Sequence, residues 1–332
     1  MTMRHAEYQS RGPIPQDVIA AVGFELPPLA PDQARIEVLA AAINPSDVLT
    51  LTGAYGLLPP LPAIGGNEGV GRVIAVGADA DATLVGQTVL LPVGCGTWST
   101  HVQVPARGLV VLPGQADPLQ LAMITVNPPT ALLMLTSFVS VKAGDWVIQN
   151  AANSAVGTYL MQIARQRGIK TVNIVRRESA VEAVRAEGGD VVLVDGEQLH
   201  QQVREATAGA KLLLGIDAVG GAATERLARC LGQGATLVNY GAMSGEPCQI
   251  SPASFIFKDI TLRGFWLAAW FRNASAEAQQ RLFGEIVAGV ASGQLHARVQ
   301  ASFGIEQIKQ AIALAASGAR EGKVLLVPNR AA

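Results

Sequence analysis

The chain is predicted to be an α/β protein of two domains, a compact barrel-like β domain and a doubly wound parallel sheet of six strands. Three observations carry this. Short β-rich runs separated by Gly and Pro fill residues 1–124. From residue 145 onward, apolar strand-like runs alternate with helical patterns. Between residues 145 and 178 the order is strand, tight turn, helix, strand and then two arginines. A length of 332 residues suits about two domains and a large core.

The elements follow in chain order. Residues 35–40 (RIEVLA) alternate as a strand does, and 69–76 (GVGRVIAV), 88–92, 101–104 and 109–112 follow suit. Gly77, Gly86, Pro92, Gly94, Gly96, Pro105 and Pro113 punctuate them, and short strands at this spacing favour a barrel. Residues 119–137 are apolar with helical spacing. Strands are expected at 145–150, 171–175, 191–194, 212–219, 235–240 and 260–267, with helices between the first five. A ligand of such a sheet lies outside the carboxyl ends of its strands. The tail reads as a helix (275–292), a strand (297–303), a helix (305–317) and a closing strand (323–327). It is expected to rejoin the first domain. The domains are then 1–124 with 269–332, and 125–268, and the cleft between them is the natural catalytic site.

The stretch from 145 to 178 carries the most chemistry. Trp146, Val147 and Ile148 form a short apolar run ending at Asn150, and the small residues Ala151, Ala152, Ser154 and Ala155 follow. Gly157 opens an amphipathic helix that Gly168 stops. This is the layout of a dinucleotide-binding unit, whose turn lets the backbone approach a pyrophosphate at a helix N-terminus. Asn153, Ser154, Ala155 and Val156 are placed to present backbone N–H groups there. The G-x-G-x-x-G frame reads Ala152, Ser154 and Gly157. Where an acid would bind the ribose 2′-hydroxyl of NAD, this chain has Arg176 and Arg177. Guanidinium forks suit a 2′-phosphate, so NADPH is predicted over NADH. The alternative is that both arginines solvate a loop.

Composition excludes several classes. No run approaches the ~20 apolar residues of a membrane span. Residues 1–7 hold no apolar signal core, and a cytoplasmic protein is expected. The net charge of −1 leaves no electrostatic footprint for nucleic acid. Cys95, Cys230 and Cys248 are scattered, and His5, His101, His200 and His296 are isolated, so neither set has a metal-ligand spacing.

The run GGNEGVGRVIAVG (65–77) with the turn AANSAVG (151–157) resembles the medium-chain dehydrogenase/reductase superfamily over essentially the whole chain. That resemblance implies a GroES-like catalytic domain beside a Rossmann domain. Zinc alcohol dehydrogenases of the superfamily carry G-H-E-x-x-G here, with a catalytic cysteine upstream. This chain has Asn67 and Asn44 at those positions, and Cys95 stands alone where a four-cysteine lobe would be. Zinc favours thiolate, imidazole and carboxylate ligands, so a metal-free protein is expected. Seven segments are similar to 2-enoyl thioester reductases of the mitochondrial trans-2-enoyl-CoA reductase type: INPSD (43–47), GAYGLLPPLPAIGGNEGVG (53–71), TVNPPTALLML (125–135), QNAANSAVG (149–157), VRRE (175–178), NYGAMSGEP (239–247) and RGFWLAAW (263–270). Ala155 stands where that family commonly has glycine. Glu178 stands where a second basic residue often follows, which leaves the NADPH preference on Arg176 and Arg177.

The resemblance also implies roles. Tyr55, in the loop GAYG, is the expected proton or hydrogen-bond donor of the active site; phenols, with pKa values near ~10, donate at neutral pH. The alternative is an aromatic lid without chemistry. Asn127 is expected at the nicotinamide–ribose region, and an N-cap role before Pro128 is compatible with that. Tyr240, Gly241, Ala242 and Met243 correspond to the nicotinamide-side loop, and Phe265, Trp266, Leu267 and Ala268 to the segment lining the carboxamide. Trp266 either touches substrate as well or fills an aromatic core. Glu178 is counted with the cofactor site, as is Lys323, for which a simple flanking charge is the competing reading. The implied reaction is NADPH-dependent reduction of the C2=C3 double bond of trans-2-enoyl thioesters of CoA or acyl carrier protein, with hydride to C3 and a proton to C2. A zinc-free NADPH:quinone oxidoreductase and an inactive NADPH-binding module are the rivals. A small-molecule substrate and a homodimer are implied, with no nucleic acid or membrane partner.

Overall fold

The computed structural model describes residues 2–318 and 320–330; Met1, Ala319, Ala331 and Ala332 lie outside them. In chain order the main elements are β1 (Arg4–Tyr8), β2 (Ile19–Gly23), β3 (Gln33–Ile43), α1 (Pro45–Thr52), β4 (Ala63–Ile64), β5 (Gly69–Val76), β6 (Thr88–Leu90), β7 (His101–Pro105), β8 (Val110–Val111) and α2 (Pro118–Leu121). Then come α3 (Asn127–Thr136), β9 (Trp146–Gln149), α4 (Ala155–Gln166), β10 (Lys170–Val175), α5 (Val181–Ala186), β11 (Val191–Val194), α6 (Leu199–Ala206), β12 (Leu212–Asp217), α7 (Gly221–Cys230), β13 (Thr236–Asn239), β14 (Thr261–Gly264), α8 (Leu267–Asn273) and α9 (Ala276–Ala291). The chain closes with β15 (Val299–Phe303), α10 (Ile308–Ala316) and β16 (Lys323–Leu326). They form two compact units, Met1–Val126 with Val287–Gly293 and Ala297–Ala332, and Asn127–Ile286 with Gln294–His296.

The first unit holds the β-rich part of the chain. Its larger sheet runs β15-β16-β3-β5-β6-β8, with β7 also on β3, and a smaller sheet runs β2-β1-β4. Strand β3 buries alternate residues along its first half, as a strand with one face on a core does. The closing strand β16 pairs antiparallel with β3, placing Val324 opposite Ile43. Ile308, Ala311, Ile312 and Ala315 recur on one face of α10 and join Tyr8, Ile36, Leu51 and Trp98 in the core.

The second unit holds six parallel strands in the order β11-β10-β9-β12-β13-β14, the doubly wound arrangement expected. Their apolar runs were legible because strands of a covered parallel sheet bury both faces. Helix α4 is buried along Val156–Ala164.

Three differences from the sequence expectations have physical causes. The apolar stretch 119–137 is two helices, since α2 ends at Leu121 and α3 starts at Asn127. Pro128 and Pro129 are tolerated in a first helical turn but not in a helix interior. The strand expected at 260–267 stops at Gly264, and Leu267 already belongs to α8. Residues 269–286, grouped above with the first domain, pack within the second unit: Phe271 stacks on Phe283 at 5.8 Å between ring centroids, and Arg167 pairs with Glu285. No helix among the described residues is long and apolar enough to cross a membrane.

Candidate active site

In the second unit, the sequence-selected residues gather at the carboxyl ends of adjacent parallel strands. Gln149 of β9 aligns with Asn173 of β10 and Ile216 of β12, and Asn239 of β13 aligns with Asp217 and Gly264. The turn after β9 carries Asn153, exposed, then Ser154 and Ala155, half-buried, and Val156, buried. Ser154 caps α4 by accepting the Gly157 N–H at 3.1 Å. A side chain at Gly157 would put its Cβ 2.5 Å from the Ala152 carbonyl oxygen, so only glycine lets α4 start against this turn. Arg176, Arg177 and Glu178 are exposed just beyond β10. Tyr240 and Gly241 are half-buried beyond β13, while Ala242 and Met243 are exposed. The Tyr240 phenol hydrogen-bonds Ser154, and burial pushes its pKa up. Phe265 meets Phe138 edge-on at 6.0 Å. Trp266 precedes α8 with the Arg272 guanidinium 4.7 Å from its ring centroid, and Leu267 and Ala268 begin that helix. Asn127, 6% exposed, is the first residue of α3.

An aspartate that sequence reading passed over ties these tips together. Asp217 is fully buried at the end of β12. One oxygen accepts from Asn150 Nδ2 at 2.6 Å and from the Val219 and Gly220 N–H groups at 2.9 and 3.1 Å. The other accepts from the Thr224 hydroxyl at 2.7 Å and Asn239 Nδ2 at 3.1 Å. Five donors compensate the buried charge and lock three strand ends. Its one sequence signal was an acid inside the apolar run LLLGIDAVG.

The donor set fits a nicotinamide nucleotide. The first turn of the 12-residue α4 presents amide donors and the positive end of the helix dipole. The tip of β10 carries two guanidinium groups where an acid would favour a bare ribose.

In the first unit, Tyr55 follows α1. Gly53 ends that helix in the left-handed region at φ 84°, where a Cβ would be strained. The chain then folds back, so that the Ala54 and Tyr55 N–H groups both donate to the Leu49 carbonyl, at 2.9 and 3.2 Å. Tyr55 is half-buried.

At the other end of α1 lies a buried cluster of charges and amides. Asp47, Glu68 and Lys323 are 3%, 0% and 4% exposed. Asp47 Oδ2 accepts the Asn44 N–H at 2.7 Å, and its Oδ1 accepts from Asn67 Nδ2 at 2.7 Å. Glu68 accepts from Asn44 Nδ2 at 2.6 Å and from the Val126 N–H at 3.0 Å. Lys323 Nζ donates to Asn44 Oδ1 and, at 3.2 Å, to the Ile43 carbonyl. The β16–β3 register explains the lysine, because the residue before Val324 faces the one after Ile43. Asn44 and Asn67, at the positions resembling zinc ligands, are thus engaged with the two carboxylates. Among the described residues no three His, Cys, Asp or Glu side chains gather to hold a metal. Sequence reading quoted Asp47 and Glu68 inside motifs without giving them roles.

Burial raises the Asp47 carboxyl, pushes Glu68 up from 4.5 to about 7 and draws Lys323 down to about 8. Between 4.5 and about 7 the native Glu68 binds a proton that the unfolded chain releases. Its contribution to stability therefore falls as pH rises through that window. Glu68→Gln removes this dependence. Denaturant unfolding is expected to show wild type gaining more over the variant at about pH 5 than at about pH 8. A pH-independent gap would contradict the shift.

The chain matches two family models, zinc-binding dehydrogenase over residues 155–283 and alcohol dehydrogenase GroES-like domain over residues 30–114. It is similar to the mitochondrial enoyl-acyl-carrier-protein reductase of Rattus norvegicus, with 37% identity over 304 residues that span 90% of this chain and 82% of that one. Among solved structures it is similar to the Etr1p/NADP/crotonyl-CoA complex, with a TM-score of 0.88, 28% identity and coverage of 98% and 99% of the two chains. The same values relate it to a Bacillus thuringiensis protein provisionally assigned as an NADPH:quinone reductase.

Proposed function

The chain belongs to the medium-chain dehydrogenase/reductase superfamily, in the branch of the mitochondrial-type enoyl reductases, and from that premise we propose that it reduces the C2=C3 double bond of trans-2-enoyl thioesters with NADPH. The observation that carries the reading is the cluster of amides and carboxylates at Asn44 and Asn67, at the start of the helix that the hydroxyl-bearing Tyr55 follows. A conjugated thioester is already electrophilic, so its reduction calls for a hydrogen-bond donor at the carbonyl oxygen and no metal.

When bound, the nicotinamide supplies a hydride to C3. The chain's own residues do the rest. The Asn153–Val156 turn holds the pyrophosphate, and Arg176 and Arg177 hold the 2′-phosphate. Asn127, the Tyr240–Met243 loop and the Phe265–Ala268 segment orient the nicotinamide end, and Glu178 borders the two arginines. Tyr55 donates to the thioester oxygen as negative charge grows there and supports protonation at C2. A homodimer belongs to the proposal. Strand β14 is an edge strand, and Phe255, Ile256 and Phe257, shortly before it in the chain, are 51%, 67% and 79% exposed, so a second copy could cover an unpaired edge and exposed apolar side chains.

The deciding assay follows NADPH oxidation with crotonyl-CoA and with a small quinone in parallel. Turnover with crotonyl-CoA that yields butyryl-CoA is expected; oxidation with the quinone alone would overturn the reading and favour the quinone reductase. The 2′-phosphate assignment has its own check. Arg177→Ala is expected to raise KM for NADPH by about tenfold or more, the worth of a charge-assisted hydrogen bond, with KM for NADH hardly changed. Equal changes for both nucleotides would sink it.

A further inference from the structure

We propose that Asp47 and Asn67 are positioning residues for Tyr55, acting along helix α1. The inference rests on Tyr55 being the donor in the reaction above. Helix α1 has eight residues and is tied at both ends. At its start each Asp47 oxygen has its own donor, the Asn44 N–H and Asn67 Nδ2, both at 2.7 Å, which fixes the carboxylate in one orientation. At its end the Tyr55 N–H is bonded to Leu49, two residues after Asp47. Little conformational slack separates the carboxylate from the tyrosine backbone, because a helical turn is stiff and the C-terminal reversal is fixed by Gly53.

The burial of Asp47 is more than helix capping requires. A cap contributes about 1 kcal/mol and works at the surface, whereas sinking a carboxylate to 3% exposure costs several times that unless it is fully paired. Other groups also face Asp47: Lys323 attracts its charge, and Tyr8 and Glu68 lie close enough to feel it. Asn67 is half-buried and holds the carboxylate from the strand-β5 side, so helix and sheet are joined through this pair. The register of α1 on its sheet, and with it the placement of the phenol, is set there. A displacement of about 1 Å at a reacting group can cost on the order of a hundredfold in rate.

Asp47→Asn places a donor where two donors already converge. It is expected to lower kcat on crotonyl-CoA by about tenfold or more with KM for NADPH unchanged. Combining it with Asn67→Asp re-creates one carboxylate–amide pair with its direction reversed, and kcat is expected to return to within a few-fold of wild type. In a Tyr55→Phe background, Asp47→Asn is expected to lower kcat no further, because the group it positions is gone. Should Asp47→Asn fold poorly, Asn67→Ala, at a half-buried site, carries the same comparison. Losses that multiply in the two backgrounds, or a paired swap that regains stability without regaining kcat, would overturn the proposal and leave a merely structural role. Full activity of Tyr55→Phe alone would instead overturn the functional reading, so the two failures are distinguishable.

Discussion

Tyr55→Phe is expected to lower kcat on crotonyl-CoA by about tenfold or more, within the range lost when a positioned proton donor is removed, while KM for NADPH stays unchanged. The substitution deletes one oxygen and keeps the ring. Packing in the 53–56 loop and the backbone bonds to Leu49 survive, since the Ala54 and Tyr55 N–H groups make them. What goes is the hydroxyl proposed to donate to the thioester oxygen as its charge grows. That loss falls on the transition state, and so on kcat. A phenylalanine variant with wild-type turnover would show that the ring serves only as packing. An equal rise in KM for NADPH would show that the residue binds cofactor.

The largest loss of stability is expected from Lys323→Met. Methionine keeps most of the apolar stem and removes the ammonium. Glu68 and Asp47, 0% and 3% exposed, would remain buried without that cation, and the Ile43 carbonyl and Asn44 Oδ1 would each lose a donor. Leaving two buried acceptors without a donor, and two buried carboxylates without the cation that attracts them, costs about 3–5 kcal/mol. Urea unfolding near neutral pH is expected to register a loss of that size. Pairing Lys323→Met with Glu68→Gln is expected to regain a substantial part, since the stranded charge goes as well. A loss below about 1 kcal/mol would place the lysine with exposed ion pairs, in conflict with its burial.

The parts of the fold legible in the sequence were those written locally. Strand β5 was read as 69–76, the span it has. The run 171–175 was one residue short of β10, because the buried Val172, Ile174 and Val175 mark the strand whereas the exposed Lys170 at its start carries no such signal. Helix α1 left no such mark. Its eight residues, PSDVLTLT, mix short polar and apolar side chains, and Pro45 at its start reads equally as a turn. The arginines and the turn after β9 could be named because each follows a recognisable strand end, and Tyr55 because its GAYG loop matches a segment of the resembled family. The cluster of Asp47, Glu68 and Lys323 could not. The lysine lies 279 positions from Asn44, and only the antiparallel pairing of β16 with β3 brings them together. Asp217 was hidden for a related reason: beside the nearby Val219, Gly220 and Thr224, its donors Asn150 and Asn239 come from neighbouring strand tips that are distant in sequence.

The destination of the hydrogen atoms tests the central claim most directly. Crotonyl-CoA is reduced with NADPH deuterated at the transferable C4 position, in ordinary water, and the butyryl-CoA formed is analysed by NMR. One deuterium at C3 and none at C2 is expected, with the pattern inverted when ordinary NADPH is used in heavy water. Label absent from the thioester, or found at C2 in the first experiment, would contradict hydride delivery to C3 with proton donation at C2.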